Sequence, residues 1–455
     1  MPPLLWLLVA GALFMEMLDG TVIATALPQI AGSFAVAPVD LSIGMTAYLV
    51  TAAAFIPVSG YLADRFSLRR VFTAAIVAFT IASVLCALAR TLPQFIVARV
   101  LQGIAGAMMA PVGRLAVLRG TQKHELIRAI SIMTWPALIA PVVGPPIGGF
   151  ITTFASWRWI FLLNVPAGVI GAWLAWARVS PTRGAPRPFD LTGFVLTTGA
   201  LAALLAGLDF AARPGPLGWI MLAIGLATGA AAVRHASHAP HPMLDLSARR
   251  IPTFAYAVLW GGSAFRIAVS AVPFLAPYML QVGFGLSAFD AGLLLLAAAA
   301  GNLVMKSITT PILNRFAFRR VLIGNGIIAA ASIAACGLIG PDTAAAVILV
   351  IYFIQGASRS MQFSAINTLG FADVPPTQTS AANAVSAMLN QMNTGMGVAF
   401  GALMLHAASL LWPAGTPQFH ATIALAAAGL LCALSLPGAL ALPGDAGGSL
   451  RRAGK

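Results

Sequence analysis

The 455-residue sequence is 59% hydrophobic and only 8% charged, with a mean hydropathy of +0.91. Soluble globules average roughly 25% charged residues, so that class is excluded and a polytopic membrane protein is left. The formal charge of +14 does not gather into one patch, which excludes a nucleic-acid-binding face.

Hydrocarbon cores need about 20 apolar residues per crossing, and such runs recur along the whole chain. They predict fourteen helices, at 4–30, 43–63, 71–89, 93–116, 128–153, 159–177, 191–209, 216–233, 252–280, 288–312, 319–339, 344–369, 380–409 and 418–441. The first run has no Lys or Arg before it and no small-residue cleavage site, so it reads as a retained helix rather than a signal peptide. It carries two acids, Glu16 and Asp19, and residues 16, 19, 20 and 23 share one helical face. Leaving water penalises the charged form of a carboxylate, so acids at this depth can take up and release protons near neutral pH. A structural reading stands beside that one: Asp19 caps a helix break or pairs with a buried arginine.

After the second helix comes GYLADRFSLRR, with Gly60, Asp64, Arg65, Arg69 and Arg70. Gly60 allows close helix approach, and Asp64 with the arginines can form charge-assisted bonds across two bundles on the cytoplasmic side. Ser67 and Leu68 make a tight turn there harder. The fourth helix places Arg99 about two turns inside a span, where an unpaired charge costs several kcal/mol; it needs a partner or water, or it snorkels outward. Gln102 and Gly103 follow. The fifth carries Gly144, Gly148 and Gly149 as a close-packing face and Pro145 and Pro146 as bending points.

Basic residues cluster in alternate loops: Arg65, Arg69 and Arg70; Arg114, Arg119, Lys123 and Arg128; Arg178, Arg183 and Arg187; Arg234, Arg249 and Arg250; Arg315, Arg319 and Arg320; and Arg451, Arg452 and Lys455. Arg90, Arg158 and Arg213 are the exceptions. This asymmetry predicts both termini in the cytoplasm.

DRFSLRR after the second helix is echoed by NRFAFRR after the tenth, and LQGIAGAMM in the fourth by IQGASRSMQ in the twelfth. The repeat predicts an N-terminal six-helix bundle at 1–180, a connector with two extra helices at 181–250, a C-terminal six-helix bundle at 251–442 and a cytoplasmic tail at 443–455. In the second bundle Ser263, Arg266 and Ser270 form one polar stripe, and Gln355, Arg359 and Gln362 another. Asn390, Gln391 and Asn393 add a polar wall, while Lys306 reads as a snorkelling cation. Several buried cations against two acids favour an anionic or neutral amphipathic ligand over a purely cationic one.

Cys86, Cys336 and Cys432 lie inside spans and read as small buried hydrophobes. His235, His238 and His241 belong to a Pro-interrupted connector and lack the carboxylate or Cys that would complete a metal site. No Gly-rich phosphate loop, nucleophile elbow or zinc-protease helix occurs, which argues against an enzyme or an ATP-driven pump.

Together the first-helix stretch LFMEMLDGTVIATALP, GYLADRFSLRR, ARVLQGIAGAMMAPVGRL and PVVGPPIGGFITTFASWRWIFLLNVPAG resemble the signatures of the major facilitator superfamily, specifically its fourteen-span drug:proton antiporters. The resemblance implies an all-α fold of two six-helix bundles with two helices between them, and export of amphipathic small molecules or drugs in exchange for protons by alternating access. It assigns proton coupling to Glu16, Asp19 and Arg99, a cytoplasmic gate to Gly60, Asp64, Arg65, Arg69 and Arg70, and an antiporter motif to Gly144, Pro145, Gly148 and Gly149. The substrate cavity falls to Gln102, Ser263, Arg266, Gln355, Arg359, Gln362, Asn390 and Gln391. No cofactor is expected, the proton gradient supplying the energy; the partners are protons, the small substrate and the bilayer, with no nucleic acid, and the chain acts as a monomer. Uptake by symport or uniport, and a membrane enzyme or lipid-handling scaffold, are the alternatives.

Overall fold

The computed structural model describes residues 2–122, 125–183, 188–211, 215–240, 242–375, 377–444 and 446–447. Lys123, Arg187, Arg213, His241 and the basic end of the chain lie outside the described residues. Fourteen helical spans run through the rest: α1 Pro2–Ser33, α2 Ser42–Phe66, α3 Leu68–Leu88, α4 Leu92–Gly120, α5 Leu126–Phe154, α6 Arg158–Arg178, α7 Leu191–Ala211, α8 Leu217–His238, α9 Pro252–Gly283, α10 Ala288–Arg315, α11 Phe318–Gly337, α12 Ala345–Ala372, α13 Thr379–Leu411 and α14 Pro417–Ala441. Every predicted run is a helix, and most extend a few residues further than the apolar stretch. Thr91 caps α4 by accepting from the Gln94 amide, and Thr416 caps α14 by accepting from Phe419, each with a proline in the first turn.

His235 and His238 sit in the last turn of α8 rather than in a connector. The helix ends at His238, one residue earlier than Pro240 would force it to. Cys86, Cys336 and Cys432 are buried free thiols.

Two compact units divide the chain. The first comprises residues 1–202 with 287–292; the second holds 203–286 and 293–455. Within the first, small residues set helix spacing: a side chain on Gly144 or Gly148 of α5 would collide with Thr21, Val22 or Thr25 of α1, and one on Gly168 of α6 with Thr80 of α3. Tightly apposed backbones of this kind are how membrane helices gain packing energy where lipid offers no hydrophobic contrast.

Within the second unit the latter half of α7, from residue 203 on, forms a tight hairpin with α8 through Gly207, Gly218 and Gly225. α9 is not a regular helix. It takes a π-helical turn at Ala255–Leu259 and another at Met279–Gly283, the latter just after Pro273 and Pro277 remove two backbone donors.

The sequence repeat has a physical counterpart in each unit. Gly103 of α4 leaves no room for a side chain against the carbonyl of Tyr48 on α2, and Gly356 of α12 leaves none against the carbonyl of Ala298 on α10. Tyr48 and Ala298 each stand sixteen residues before the aligned Asp64 and Asn314. The Gln-Gly pair therefore marks the same close crossing twice.

Candidate functional site

The polar residues of the first unit converge on one dry cluster. Asp19 of α1 and Arg99 of α4 are 2% and 1% exposed. Arg99 Nη1 donates to Asp19 Oδ2 at 2.7 Å and to Gln102 Oε1 at 2.6 Å. Asp19 Oδ1 accepts from Gln102 Nε2 at 2.9 Å and from Asn164 Nδ2 of α6 at 3.1 Å. Gln102 and Asn164 both also donate to Ser83 Oγ of α3. On the α2 side, Arg99 Nε reaches the Gly44 carbonyl at 3.3 Å, and the guanidinium stacks 4.4 Å over the Tyr48 ring.

Five helices are thus tied by one ion pair whose hydrogen-bonding capacity is nearly filled, the condition under which a buried pair is tolerated. Arg99 does not snorkel. Asp19 has the arginine partner that its structural reading required, and Gln102 is fully buried within this cluster. Ser83, Asn164 and Tyr48 had no sequence signal of their own; each is an ordinary polar or aromatic residue that matters only because of what folds against it.

Glu16 differs from Asp19 although it lies one turn away. It is half-buried, its Oε2 is shielded from solvent without a hydrogen-bond partner among the described residues, and its electrostatic neighbours are Arg114 of α4 and Asp19. Arg114, grouped above with the loop cations, lies inside α4, which continues to Gly120.

At the predicted gate, Asp64 pairs with Arg119 of α4 at 3.2 Å. Its partner therefore comes from its own unit, not from a second bundle, because α4 extends far enough to meet the end of α2. Gly60 makes no close approach: a side chain there would meet nothing within 4 Å. Arg69 Nε donates to the Val179 carbonyl at 2.7 Å and the Leu68 amide to Thr182 at 3.0 Å, pinning the stretch after α6 to the start of α3. Arg65 and Arg70 are exposed. The tight turn forms despite Ser67, which adopts φ 90° and ψ 148°, a region suited to glycine.

In the fifth-helix motif, Gly149 abuts the backbone of Ala288 and Phe289, both within the first unit. Pro145 lies in an unbroken helix. In the second unit Gln362 is fully enclosed: it accepts from Asn325 at 2.9 Å and donates to the Leu322 carbonyl at 3.1 Å, both on α11. Ser263 accepts from Asn393 Nδ2 at 2.9 Å, joining α9 to α13. Arg266 of α9 donates to the Ala257 carbonyl and to Asn367 Oδ1. Gln355 is buried, Arg359, Asn390 and Gln391 are half-buried, and Lys306 is exposed with Nζ 3.4 Å from Ser364 Oγ.

Fourteen apolar spans in two units that repeat the same helix crossing, with an ion pair and further cations buried among them, define a multi-pass membrane protein. The sequence matches the Major Facilitator Superfamily over residues 9–398, and the chain belongs to that family. It is 38% identical over 410 residues to the putative multidrug resistance protein MdtD of Salmonella paratyphi A, covering 88% of this chain and 86% of the relative. The same identity and coverage hold for the protein of that name from Salmonella typhimurium. Among solved structures, a bacterial homologue of the human lysosomal transporter Spinster, inward-facing and occupied, superposes with a TM-score of 0.68 at 16% identity over 96% of this chain and 95% of the other. A D-xylose–proton symporter gives 0.65 at 15% identity over 94% and 96%. At those identities the likeness is one of fold.

Proposed function

We propose that this chain is a proton-coupled exporter of amphipathic small molecules in a bacterial inner membrane, working by alternating access, with Glu16 as the proton-carrying group. The relatives' name, putative multidrug resistance protein, supports the cargo class, and the fifth-helix motif with Gly144, Pro145, Gly148 and Gly149 supports antiport. One observation carries the assignment of Glu16: its shielded, unpartnered oxygen contrasts with the fully compensated carboxylate of Asp19.

A carboxylate with an unfilled acceptor gains most from a proton, whereas protonating Asp19 would strand Arg99. Asp19, Arg99 and Gln102 then serve as the framework that holds α1 in register. Asp64 and Arg119, with Arg69 on the Val179 carbonyl, act as the cytoplasmic latch together with Gly60, Arg65 and Arg70. Ser263, Arg266, Gln355, Arg359, Asn390 and Gln391 contribute the substrate-facing polarity.

The test is reconstitution in vesicles with an imposed pH gradient, following fluorescent amphiphiles of either charge. Wild type should accumulate dye only with the gradient, and Glu16→Gln should abolish the gradient dependence while retaining gradient-independent exchange. Full gradient-driven uptake by Glu16→Gln would remove this acid from the coupling.

A further inference from the structure

Away from the helix ends, the charges of α9 to α14 do not balance. Arg266, Lys306 and Arg359 stand there, whereas the one carboxylate in any of these helices, Asp290, opens α10 and belongs to the first unit; Arg315, Arg319 and Arg320 sit at helix ends, and the second unit's helical acid, Asp209, lies near the end of α7. In the first unit the corresponding problem is solved by Asp19 against Arg99. Among the described residues, no acid does this for Arg266 or Arg359.

Arg266 is 3% exposed. Nη1 takes the Ala257 carbonyl at 2.7 Å, in the π-helical turn, and Nη2 takes Asn367 Oδ1 at 2.8 Å. Its Cζ lies 5.4 Å from the centroid of the Phe363 ring, and its buried Nε has no hydrogen-bond partner among the described residues. Neutral acceptors fill hydrogen bonds but do not cancel the charge. Arg359, midway along α12 and half-buried, makes no hydrogen bond or ion pair among the described residues. On α12 the residues Gln355, Arg359, Phe363 and Asn367 follow one another at intervals of four, forming a single slowly turning stripe. Arg266 docks on the Phe363–Asn367 end of it, and Gln355 makes no side-chain hydrogen bond among the described residues.

We propose that this stripe is an anion-binding site and that the exported cargo is an organic acid: a carboxylate on an apolar body. The acid head pairs with Arg359, which offers a planar fork of donors suited to a carboxylate, beside the Gln355 amide. Phe363 meets the apolar body, and Arg266 is a positioning residue that fixes Phe363 and Asn367 and adds a second positive charge. The inference rests on the exporter reading for the direction of transport but not for binding.

The test uses three probes with one ring system and different charge: 2-naphthoate, its methyl ester, and 2-naphthyltrimethylammonium. Equilibrium dialysis against the purified full chain should show naphthoate bound at least tenfold more tightly than the ammonium probe. Arg359→Gln should lose about tenfold in naphthoate affinity and leave the ester unchanged, while Arg359→Lys retains most of it. Arg266→Gln should narrow the anion-over-cation preference, which a purely structural role would not do. A rise in the thermal midpoint of wild type with naphthoate, and none with the ammonium probe, needs no variant and covers the case in which Arg359→Gln does not fold.

Equal binding of the charged probes, preference for the cation, or no binding of any probe overturns the site. Gradient-driven transport of the ammonium probe without naphthoate binding would sink the anion site and leave the exporter standing. Naphthoate binding without gradient-driven movement would do the reverse.

Discussion

Asp19 and Glu16 are three residues apart on one helix and have opposite environments, because α4 and α6 bring Arg99, Gln102 and Asn164 to the first and only Arg114 near the second. Removing one member of a buried pair leaves the other charge uncompensated and costs about 3–5 kcal/mol. Asp19→Asn should therefore lower the thermal midpoint sharply in detergent, and Asp19→Asn combined with Arg99→Gln should recover most of the loss; strictly additive losses would deny the coupling. At Ser67 the backbone holds φ 90°. Such strain costs about 1–3 kcal/mol, against roughly 0.5–1 kcal/mol from the freer unfolded chain of glycine, so Ser67→Gly should stabilise the protein by about 1 kcal/mol in chemical denaturation. That a charge like Arg99 needed a partner was legible from its depth in a span. That the partner lies 80 residues away was not, since nothing in the sequence pairs α1 with α4.

Among helices, glycines sort into those that permit contact and those that do not. Gly103 and Gly356 each rest on a carbonyl of the neighbouring helix, whereas Gly60 faces open space. Forcing a methyl into a packed contact costs about 1–3 kcal/mol, while the same change at an open helical position gains up to about 1 kcal/mol from propensity. Gly103→Ala and Gly356→Ala should each destabilise, and Gly60→Ala should not, as read by thermal unfolding in detergent; a loss at Gly60 equal to that at Gly103 would contradict this sorting. Helix positions followed from apolar run length alone, and the repeat located the equivalent Gln-Gly crossings. The Asp64–Arg119 bond was hidden because it depends on α4 continuing as helix past its apolar stretch, where α2 ends beside it. This exposed pair is worth at most about 1 kcal/mol, so Arg119→Gln should disturb transport kinetics more than stability.

For the molecule as a whole, the alternation of basic loops predicts which side of the membrane each loop occupies. The three native cysteines are buried, so wild type should resist a membrane-impermeant maleimide and serve as its own background. Ser180→Cys should then label only from the cytoplasmic face and Asp342→Cys only from the outer face; reversed labelling would refute the orientation.

The sequence by itself determined the solvent in which this chain folds, the number and places of its helices, their duplication and the family to which it belongs. Those features follow from apolar run length, charge placement and local repeats, all of which act along the chain. Tertiary structure alone decided which acid is neutralised and which is left with an open acceptor, that Gln102 and Gln362 are enclosed by hydrogen-bond partners while the side chains of Gln355 and Arg359 have none among the described residues, and that no carboxylate among those residues pairs with Arg266 or Arg359. These outcomes depend on which side chains from distant helices meet in a low-dielectric interior. There a charge is stable only beside its counterpart, and local pattern carries no record of that counterpart's place in the fold.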